Sequence, residues 1–330
     1  MKLLQTTSVG SFPKPDYLVS ARNLYAKSQL SREELGELEK KATREVIALQ
    51  ERLGLDILVD GEMERGDMTA FFAEQLEGMG ISGLVRSYGN RYYRKPIVVG
   101  PIRRVKPMTV PMYQFAQSLT EKPVKGMLTG PYTMTDWSFN EHYPSRRDTI
   151  LAFAQVIREE AEDLQRAGAR YIQIDEPALS TRPDELPVAI EAMHIVTDGL
   201  KAKTISHMCY GDFDTIYPGL LELPVQQLDL EAANNDFALI ELIRKHPFTK
   251  EIALGVVDSH DHRIETKDEV VAGIHRALEV LRPEQVWIDP DCGLKTRSWQ
   301  EAERKLAVIV EAANQVREEL SKKPKPAKAR

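Results

Sequence analysis

Eight short β-rich segments recur along the chain, and long amphipathic segments separate them. Alternation of this kind predicts parallel strands, because the chain needs a crossover helix to return to the same end of a sheet. Eight repeats in 330 residues favour a single (β/α)₈ barrel of the TIM type over a doubly wound open sheet. The predicted strands span residues 3–9, 56–60, 124–129, 171–175, 204–209, 225–231, 252–257 and 286–289.

Three of the amphipathic segments begin with a capping box. In this motif a Ser or Thr and the Glu three residues later satisfy each other's backbone N–H groups. These pairs predict the first turns of three helices. They are Ser31 with Glu34, Thr266 with Glu269, and Ser298 with Glu301.

The connection between the second and third predicted strands is much longer than the others, at more than 60 residues. Residues 86–104 predict an inserted β-hairpin whose two arms meet near residues 94–96. An insertion of this length in a barrel is typical of a lid or an assembly element. Apart from this insertion, the strand–helix alternation predicts one catalytic barrel domain over residues 1–321. Residues 322–330 lack apolar periodicity and predict a disordered basic tail.

Composition excludes several classes of function. The formal net charge is -6 and both signs are interspersed, so no basic surface for nucleic acid is expected. No segment approaches the 18 or more apolar residues of a membrane-spanning helix, and the N-terminal apolar run is too short for a signal peptide. Two cysteines in a chain of this length indicate a reducing compartment. We therefore expect a cytoplasmic enzyme that acts on small molecules.

The predicted strands end in residues that are suited to chemistry. In (β/α)₈ enzymes the catalytic groups lie at the C-terminal ends of the strands, on one face of the barrel. Polar ends are common in barrels, so this pattern selects candidates without assigning a reaction. The candidates with reactive or charged side chains are Ser11, Glu62, Asp175, His207, Cys209, Glu231, Asp258, His260 and Cys292.

Four of these candidates form a possible metal-binding set. His207 and Cys209 are alternate residues of one strand, so their side chains point the same way. Glu231 and Cys292 follow two other strands. Two thiolates with an imidazole and a carboxylate favour zinc, because soft sulfur ligands disfavour magnesium and calcium. The spacing alone leaves the alternative that both cysteines are small buried apolar residues.

Seven segments of the chain, in order, resemble the catalytic half of cobalamin-independent methionine synthase. The resemblance covers essentially the whole chain, and its most specific motifs are HMCY and PDCGLKTR. It implies a (β/α)₈ barrel that methylates the thiol of homocysteine to form methionine. The segments are TSVGSFPK (7–14), DGEMERGDM (60–68), KGMLTGPYTMTDWSF (125–139), IQIDEPAL (172–179), HMCYGDF (207–213), GVVDSHDHRI (255–264) and DPDCGLKTR (289–297).

The resemblance implies that His207, Cys209, Glu231 and Cys292 hold Zn²⁺. A free thiol with a pKa of about 8.5 is only a few per cent ionised at pH 7. A thiol bound to a metal ion is deprotonated, which accounts for the use of zinc in such a reaction. Four protein ligands make a closed site. We therefore expect Glu231, the hardest ligand, to leave the zinc when homocysteine binds.

The resemblance also assigns residues to the two substrates. Ser11, Glu62 and Asp175 match positions that hold the amino-acid end of homocysteine, where two carboxylates suit the substrate ammonium. His260 matches a histidine implicated in proton transfer, and Trp137 matches the tryptophan on which a folate ring stacks. Without the resemblance, simpler interpretations remain open. The carboxylates could form an ion pair with an arginine (Arg65 or Arg91) or cap a loop, the histidine could lie on a surface loop, and the tryptophan could pack in the core.

The methyl donor is less constrained than the acceptor. The long form of the family carries a second, N-terminal barrel that helps to bind folate polyglutamate, and it has His where this chain has Asp60. The intact segment 125–139 with Trp137 favours a pterin such as 5-methyltetrahydrofolate as donor. A match to the catalytic half alone favours a methylated corrinoid, delivered free or by a corrinoid protein partner.

Three further functions remain as alternatives. A related transferase would methylate another thiol, such as coenzyme M, and would not need Glu62 and Asp175 to hold an ammonium group. A zinc hydrolase would use a metal-bound water, although such sites usually favour His and carboxylate ligands. A zinc-stabilised barrel without catalytic activity would instead act as a binding partner for a corrinoid protein.

Overall fold

The computed structural model of this chain describes residues 2–86, 92–209, 211 and 213–322. Its strands form two sheets, one of seven strands and one of three. The seven-stranded sheet is entirely parallel, which agrees with the strand–helix alternation of the sequence. The strands are β1 (Gln5–Thr6), β2 (Leu76–Arg86), β3 (Tyr92–Arg104), β4 (Lys125–Thr129), β5 (Phe139–Asn140), β6 (Tyr171–Asp175), β7 (Lys203–Met208), β8 (Gln227–Leu230), β9 (Glu251–Gly255) and β10 (Val286–Asp289).

The large sheet curls into a barrel, in the order β1–β10–β9–β8–β7–β6–β4. Residues 56–60 fill the remaining position between β1 and β4. The N–H groups of Asp56 and Ile57 donate to the Thr6 carbonyl at 2.9 and 3.1 Å, and Leu58 bridges in parallel to Val124. On the far side Lys125 N–H donates to the Leu58 carbonyl at 2.9 Å. The predicted (β/α)₈ barrel is therefore confirmed, although its first two strands are shorter than predicted.

Helices cover the outside of the barrel, and their starts follow the sequence signals. Both predicted capping boxes at Ser31 and Thr266 are present. At the third, Ser298 N–H donates to the Glu301 carboxylate and Glu301 N–H donates to Ser298 Oγ. None of the described helices has the length and apolar character that a membrane crossing requires. The helices are α1 (Asp16–Ala26), α2 (Arg32–Leu53), α3 (Ala70–Ala73), α4 (Val110–Gln117), α5 (Pro131–Asp136), α6 (Arg146–Arg166), α7 (Leu186–Thr197), α8 (Ala238–Lys245), α9 (Lys267–Leu278) and α10 (Trp299–Lys322).

The inserted hairpin is present, but the prediction that its arms meet near residues 94–96 was wrong. Those residues lie inside β3, which pairs antiparallel with β2 from Leu76↔Arg104 to Arg86↔Tyr92. The two arms flank residues 87–91, which lie outside the described residues. The first arm was missed because its sequence, LEGMGISGLVR, contains three glycines and few of the β-branched residues that mark a strand.

The last described helix ends close to the predicted domain boundary at residue 321. Helix α10 continues to Lys322, one residue past that boundary. Residues 323–330 lie outside the described residues, and the disordered tail remains a prediction.

A buried carboxylate joins the base of the hairpin to the barrel helices. Glu160 of α6 is fully buried and accepts backbone N–H groups from Met108, Thr109 and Val110, at distances from 2.7 to 3.2 Å. These donors lie at the start of α4, where a negative charge is favoured by the helix dipole. Arg104, at the end of β3, donates to the same carboxylate at 2.7 Å.

We expect Glu160→Ala to lower the free energy of unfolding by about 3–5 kcal/mol, because it leaves three buried N–H groups without their acceptor and removes one of the two carboxylates that pair with Arg104. The neighbouring Glu159 is exposed on the same helix and provides a matched control. Glu159→Ala should change stability by less than about 0.5 kcal/mol. Urea denaturation of the two variants measures the difference, and equal losses would show that the carboxylate does not hold this junction.

Candidate metal centre

The barrel brings together three of the four predicted metal ligands. His207 lies near the end of β7, Cys209 follows that strand, and Cys292 lies in the loop after β10. One ligand atom from each of the three lies within 4.8 Å of the others. The two cysteines and the imidazole are therefore close neighbours, as a shared metal site requires.

The two cysteines are free, and their sulfur atoms are 3.4 Å apart. This separation is far longer than a disulfide bond of about 2.05 Å. It approaches the distance of about 3.8 Å that two thiolates span on a tetrahedral zinc ion with bonds of about 2.3 Å. The sulfur positions thus fit a shared soft cation.

The orientation of His207 also fits a metal ligand. Its Nδ1 lies 3.0 Å from Asp229 Oδ1, and the two residues are only 3% and 1% exposed. Because a carboxylate only accepts, Nδ1 donates this hydrogen bond, which leaves Nε2 as the ring nitrogen available to a ligand. Nε2 is buried and has no hydrogen-bond partner within the described part of the chain. Histidine ligands in zinc sites are commonly held by a carboxylate in this way.

The electrostatics of the sulfur pair favour one thiolate. The hydrogen bond between the two sulfurs, together with the neighbouring His207 and His260, holds the pKa of Cys292 well below its usual range. The same hydrogen bond, burial and the negative charge of Glu231 raise the pKa of Cys209. The thiolate is the form of cysteine that binds metals, so the direction of the shift at Cys292 suits a metal ligand.

Glu231 lies beside this group without being part of it. It follows β8 and is buried, and its Oε1 accepts the backbone N–H of Gly211 at 3.2 Å. Its charge acts on both Cys209 and Asp291, so its carboxylate faces the sulfur pair. The geometric group itself contains only His207, Cys209 and Cys292.

Asp291 connects the loops that carry Glu231 and Cys292. Its carboxylate accepts the N–H groups of Ala232, Ala233 and Asn234 at 2.7 to 2.9 Å. Gly255 makes room for it, since a Cβ atom there would lie 2.2 Å from Asp291 Oδ1. Sequence reasoning overlooked both Asp229 and Asp291. The available signals were an inward-facing Asp on β8 and an Asp directly before Cys292.

Ser11 lies against the loop that carries Cys292. Its carbonyl accepts the N–H of Leu294 at 2.7 Å. A Cβ atom at Gly293 would lie 2.1 Å from Ser11 Oγ, so only glycine allows the two loops to approach this closely. The predicted substrate residue Ser11 therefore lies next to the candidate metal centre.

The two predicted carboxylates, Glu62 and Asp175, face a common region. Asp175 ends β6 and accepts from Gln173 Nε2 at 2.8 Å. Burial raises the pKa of Asp175 to about 7. The neighbouring His207 lowers this pKa, and the charge of Glu62 raises it further. Glu62 has a left-handed φ of 54° and lies 3.6 Å from Arg65 Nη1, so the ion pair considered from the sequence is present. Arg91 lies outside the described residues.

His260 lies in the loop after β9, near the sulfur pair. Its backbone N–H donates to Asp258 Oδ1 at 2.7 Å, and its side chain is half-buried. It is among the residues that lower the pKa of Cys292, so it lies in the neighbourhood of the group. The nearby His262 instead points outward, with its side chain 75% exposed and paired with Glu301.

Trp137 ends the short helix α5 that follows β4. It is half-buried and packs against the main core. Glu176, directly after β6, holds this helix in place by accepting the N–H groups of Tyr132 and Thr133 at 3.0 and 2.7 Å. Trp137 therefore lies at the same end of the barrel as the candidate metal centre. Its ring is partly packed and partly exposed, which is compatible both with packing in the core and with stacking on a ligand.

Comparison with known proteins identifies the family. Residues 4–315 match the family described as "Cobalamin-independent synthase, Catalytic domain". Methionine synthase of Saccharolobus solfataricus is 40% identical over 324 residues, which cover 98% of each chain. This chain belongs to the cobalamin-independent methionine synthase family. Methionine synthase of Sulfurisphaera tokodaii is also 40% identical, over 98% of this chain and 95% of the relative.

Solved structures of the family agree with this assignment. A B12-independent methionine synthase from Shewanella sp. W3-18-1, in complex with selenomethionine, has a TM-score of 0.88 and 31% identity, covering 97% of this chain and 99% of that one. A protein from Listeria monocytogenes with a TM-score of 0.78 and 21% identity, over 94% and 96% of the two chains, shares the fold. Membership of the cobalamin-independent methionine synthase family makes the chain a homocysteine methyltransferase by enzyme class.

The hydrogen bond between His207 and Asp229 should affect metal affinity. We expect Asp229→Asn to weaken zinc binding by about 10- to 100-fold, because the imidazole loses the charged acceptor that fixes its tautomer and orientation. Competition with a colorimetric chelator measures the affinity, and the absorption spectrum of the Co²⁺-substituted protein reports the ligand field. Asp236, whose side chain is 100% exposed, supplies the control Asp236→Asn. Equal affinities in the two variants would contradict this role.

Proposed function

We propose that this enzyme transfers a methyl group to the thiolate of homocysteine with Zn²⁺ held by His207, Cys209, Glu231 and Cys292. The observation that supports it most strongly is the convergence of one imidazole and two sulfurs, from two different strand ends, within 4.8 Å. Two sulfurs and one nitrogen are a donor set typical of zinc. The ion supplies a deprotonated, nucleophilic substrate sulfur at neutral pH.

The protein residues around this centre suit the amino-acid end of homocysteine. Glu62 and Asp175 provide two carboxylates for the substrate ammonium, and Ser11 provides a hydroxyl beside the Cys292 loop. The selenomethionine bound in the Shewanella relative is an analogue of methionine, the product of the proposed reaction. A substrate such as coenzyme M has no ammonium group and would leave both carboxylates unused.

We propose a pterin of the 5-methyltetrahydrofolate type as the methyl donor. Trp137 supports this choice, because it lies at the same barrel end as the metal centre on a helix that Glu176 holds in place. A methylated corrinoid is the second candidate. The Saccharolobus relative favours it, since 324 aligned residues already cover 98% of that protein and leave no room there for a second barrel.

We further propose one catalytic domain over residues 1–321 and a cytoplasmic location. The barrel closes through β1 near the N-terminus, and α10 packs against β1 and β10 near the C-terminus. Both termini of the described chain thus contribute to the same core. Two neighbouring cysteines that are not joined in a disulfide fit a reducing compartment.

The zinc-loaded protein with homocysteine should form methionine when a methyl donor is supplied. Separate reactions with 5-methyltetrahydrofolate, methylcobalamin and buffer alone, followed by quantification of methionine, identify the donor. Cys292→Ser should abolish both zinc binding and methionine formation, because it removes the thiolate of the pair. Methionine formation that persists at the wild-type rate in Cys292→Ser, or that survives complete zinc removal, would overturn the proposal.

His260 should contribute to proton transfer, because it lies in the loop after β9 near the proposed metal centre and an imidazole can both accept and donate a proton. We expect His260→Gln to lower the methyl-transfer rate by about 10²- to 10⁴-fold while the affinity for homocysteine stays unchanged. His262→Gln is the matched control, since His262 points outward from the same loop. An unaltered rate in His260→Gln would remove this residue from the mechanism.

A further inference from the structure

A buried ion pair joins helix α10 to the loop after β9 that carries His260. Lys305 of α10 is fully buried, and Glu265 is only 7% exposed. The Lys305 ammonium donates to Glu265 Oε2 at 2.9 Å and to the main-chain carbonyl of Arg263 at 2.5 Å. Each charge of such a pair needs its partner, because an unpaired charge in the protein interior is costly. Lys305 therefore holds the Glu265 carboxylate in one position.

Glu265 connects the end of this loop to its start. Its other oxygen, Oε1, accepts the backbone N–H of Asp258 at 2.9 Å. The carboxylate of Asp258 in turn accepts the backbone N–H of His260 at 2.7 Å. A continuous chain of hydrogen bonds thus runs from helix α10 through Glu265 and Asp258 to the backbone of His260.

The loop between these contacts needs such a connection. Residues 261–263 are exposed and lie between Asp258 and Glu265 in the chain. A segment that projects into solvent has few buried contacts of its own to restrain it. The Glu265 side chain closes this segment across its base, and it thereby limits the positions that His260 can take.

The same loop is joined to the candidate metal centre. The backbone N–H of Asp291 donates to the carbonyl of Val257 at 3.0 Å. Val257 directly precedes Asp258, and Asp291 directly precedes Cys292. A shift of Asp258 therefore changes where His260 lies relative to Cys292. Displacements of this kind slow a reaction, because the reacting groups must be held in a precise geometry.

We propose that Glu265 is a positioning residue for methyl transfer, held by Lys305 and acting through Asp258 to set the position of His260. This inference rests on the proposed function, in which His260 transfers a proton. Loss of the contact with Asp258 lowers kcat and leaves zinc binding and the KM for homocysteine unchanged, because His260 is assigned to proton transfer and not to binding.

Two double variants isolate the hydrogen bond to Asp258. Replacing a buried ion pair by uncharged residues of similar volume is often neutral for stability, so both charges are removed together. Glu265→Leu/Lys305→Met also removes the acceptor, whereas Glu265→Gln/Lys305→Met retains a side-chain oxygen for the Asp258 N–H. We expect the first to lower kcat about 10- to 100-fold at an unchanged KM for homocysteine. The second should keep a kcat close to that of the wild type.

A second pair of variants tests the last contact of the chain at a residue that is only half-buried. Asp258→Ala removes the acceptor of the His260 N–H and should lower kcat to a similar extent. Asp258→Asn retains an oxygen acceptor and should not. Glu311→Ala, at an exposed position of α10, is the control and should leave kcat unchanged.

Two further measurements separate positioning from a general structural effect. Amide hydrogen exchange, followed by mass spectrometry, should become faster across residues 258–265 in Glu265→Leu/Lys305→Met and not in Glu265→Gln/Lys305→Met. In the His260→Gln background, Glu265→Leu/Lys305→Met should lower kcat no further, because changes that act on the same step are not additive.

Equal kcat values in the two double variants would overturn this inference, because the acceptor for the Asp258 N–H would then have no effect on the reaction. A full additional loss in the His260→Gln background would also overturn it, since the network would then act on another part of the enzyme. In both cases the wild type still forms methionine and the proposed function stands. A wild type that forms methionine with neither donor would overturn the proposed function together with this inference.

Discussion

The buried hydrogen bond between His207 and Asp229 is the interaction on which the candidate metal centre depends. It lies inside the barrel, where an unpaired carboxylate would be costly. Lys125 reaches into the same interior and is itself almost fully buried, with its ammonium bonded to Gln173. Burial lowers the pKa of Lys125, and Asp229 and Asp289 oppose that shift, so the cation and the carboxylates stabilise each other's charges. The orientation of His207, the candidate zinc ligand, therefore depends on Asp229, whose charge is in turn balanced by Lys125 inside the barrel.

A second device recurs around the barrel mouth. A carboxylate near the end of one strand accepts the backbone N–H groups that begin the loop after another strand of the barrel. Asp291 does this for the loop after Glu231, and Glu176 does it for the helix that ends at Trp137. Such contacts hold functional side chains on short, well-supported loops, which is the preorganisation that a catalytic site needs. Burial raises the pKa of both Asp291 and Glu176 to about 7. Keeping these buried carboxylates ionised therefore costs free energy, which their hydrogen bonds to the backbone offset in part.

Much of the fold was predictable from local pattern. Strand–helix alternation predicted the parallel barrel, and the capping boxes at Ser31, Thr266 and Ser298 marked true helix starts, because both signals depend on residues close together in sequence. The hairpin was only partly predictable. Its first arm, β2, contains glycines and register shifts where β-branched residues would normally mark a strand. Long-range pairing with β3 stabilises that arm, and local propensity does not report it.

By itself, the sequence determined which chemical groups end the strands. It also determined that His207 and Cys209 point the same way, because side chains alternate between the two faces along one strand. Only the tertiary structure decided that Cys292 lies 3.4 Å from Cys209, although the two are 83 positions apart in sequence. The closure of the barrel sets that distance. It also decided the partners of His207 and the contact between Glu265 and Lys305. These contacts join residues far apart in sequence, and their distances follow from the ring of strands and from the packing of its loops, which no local pattern encodes.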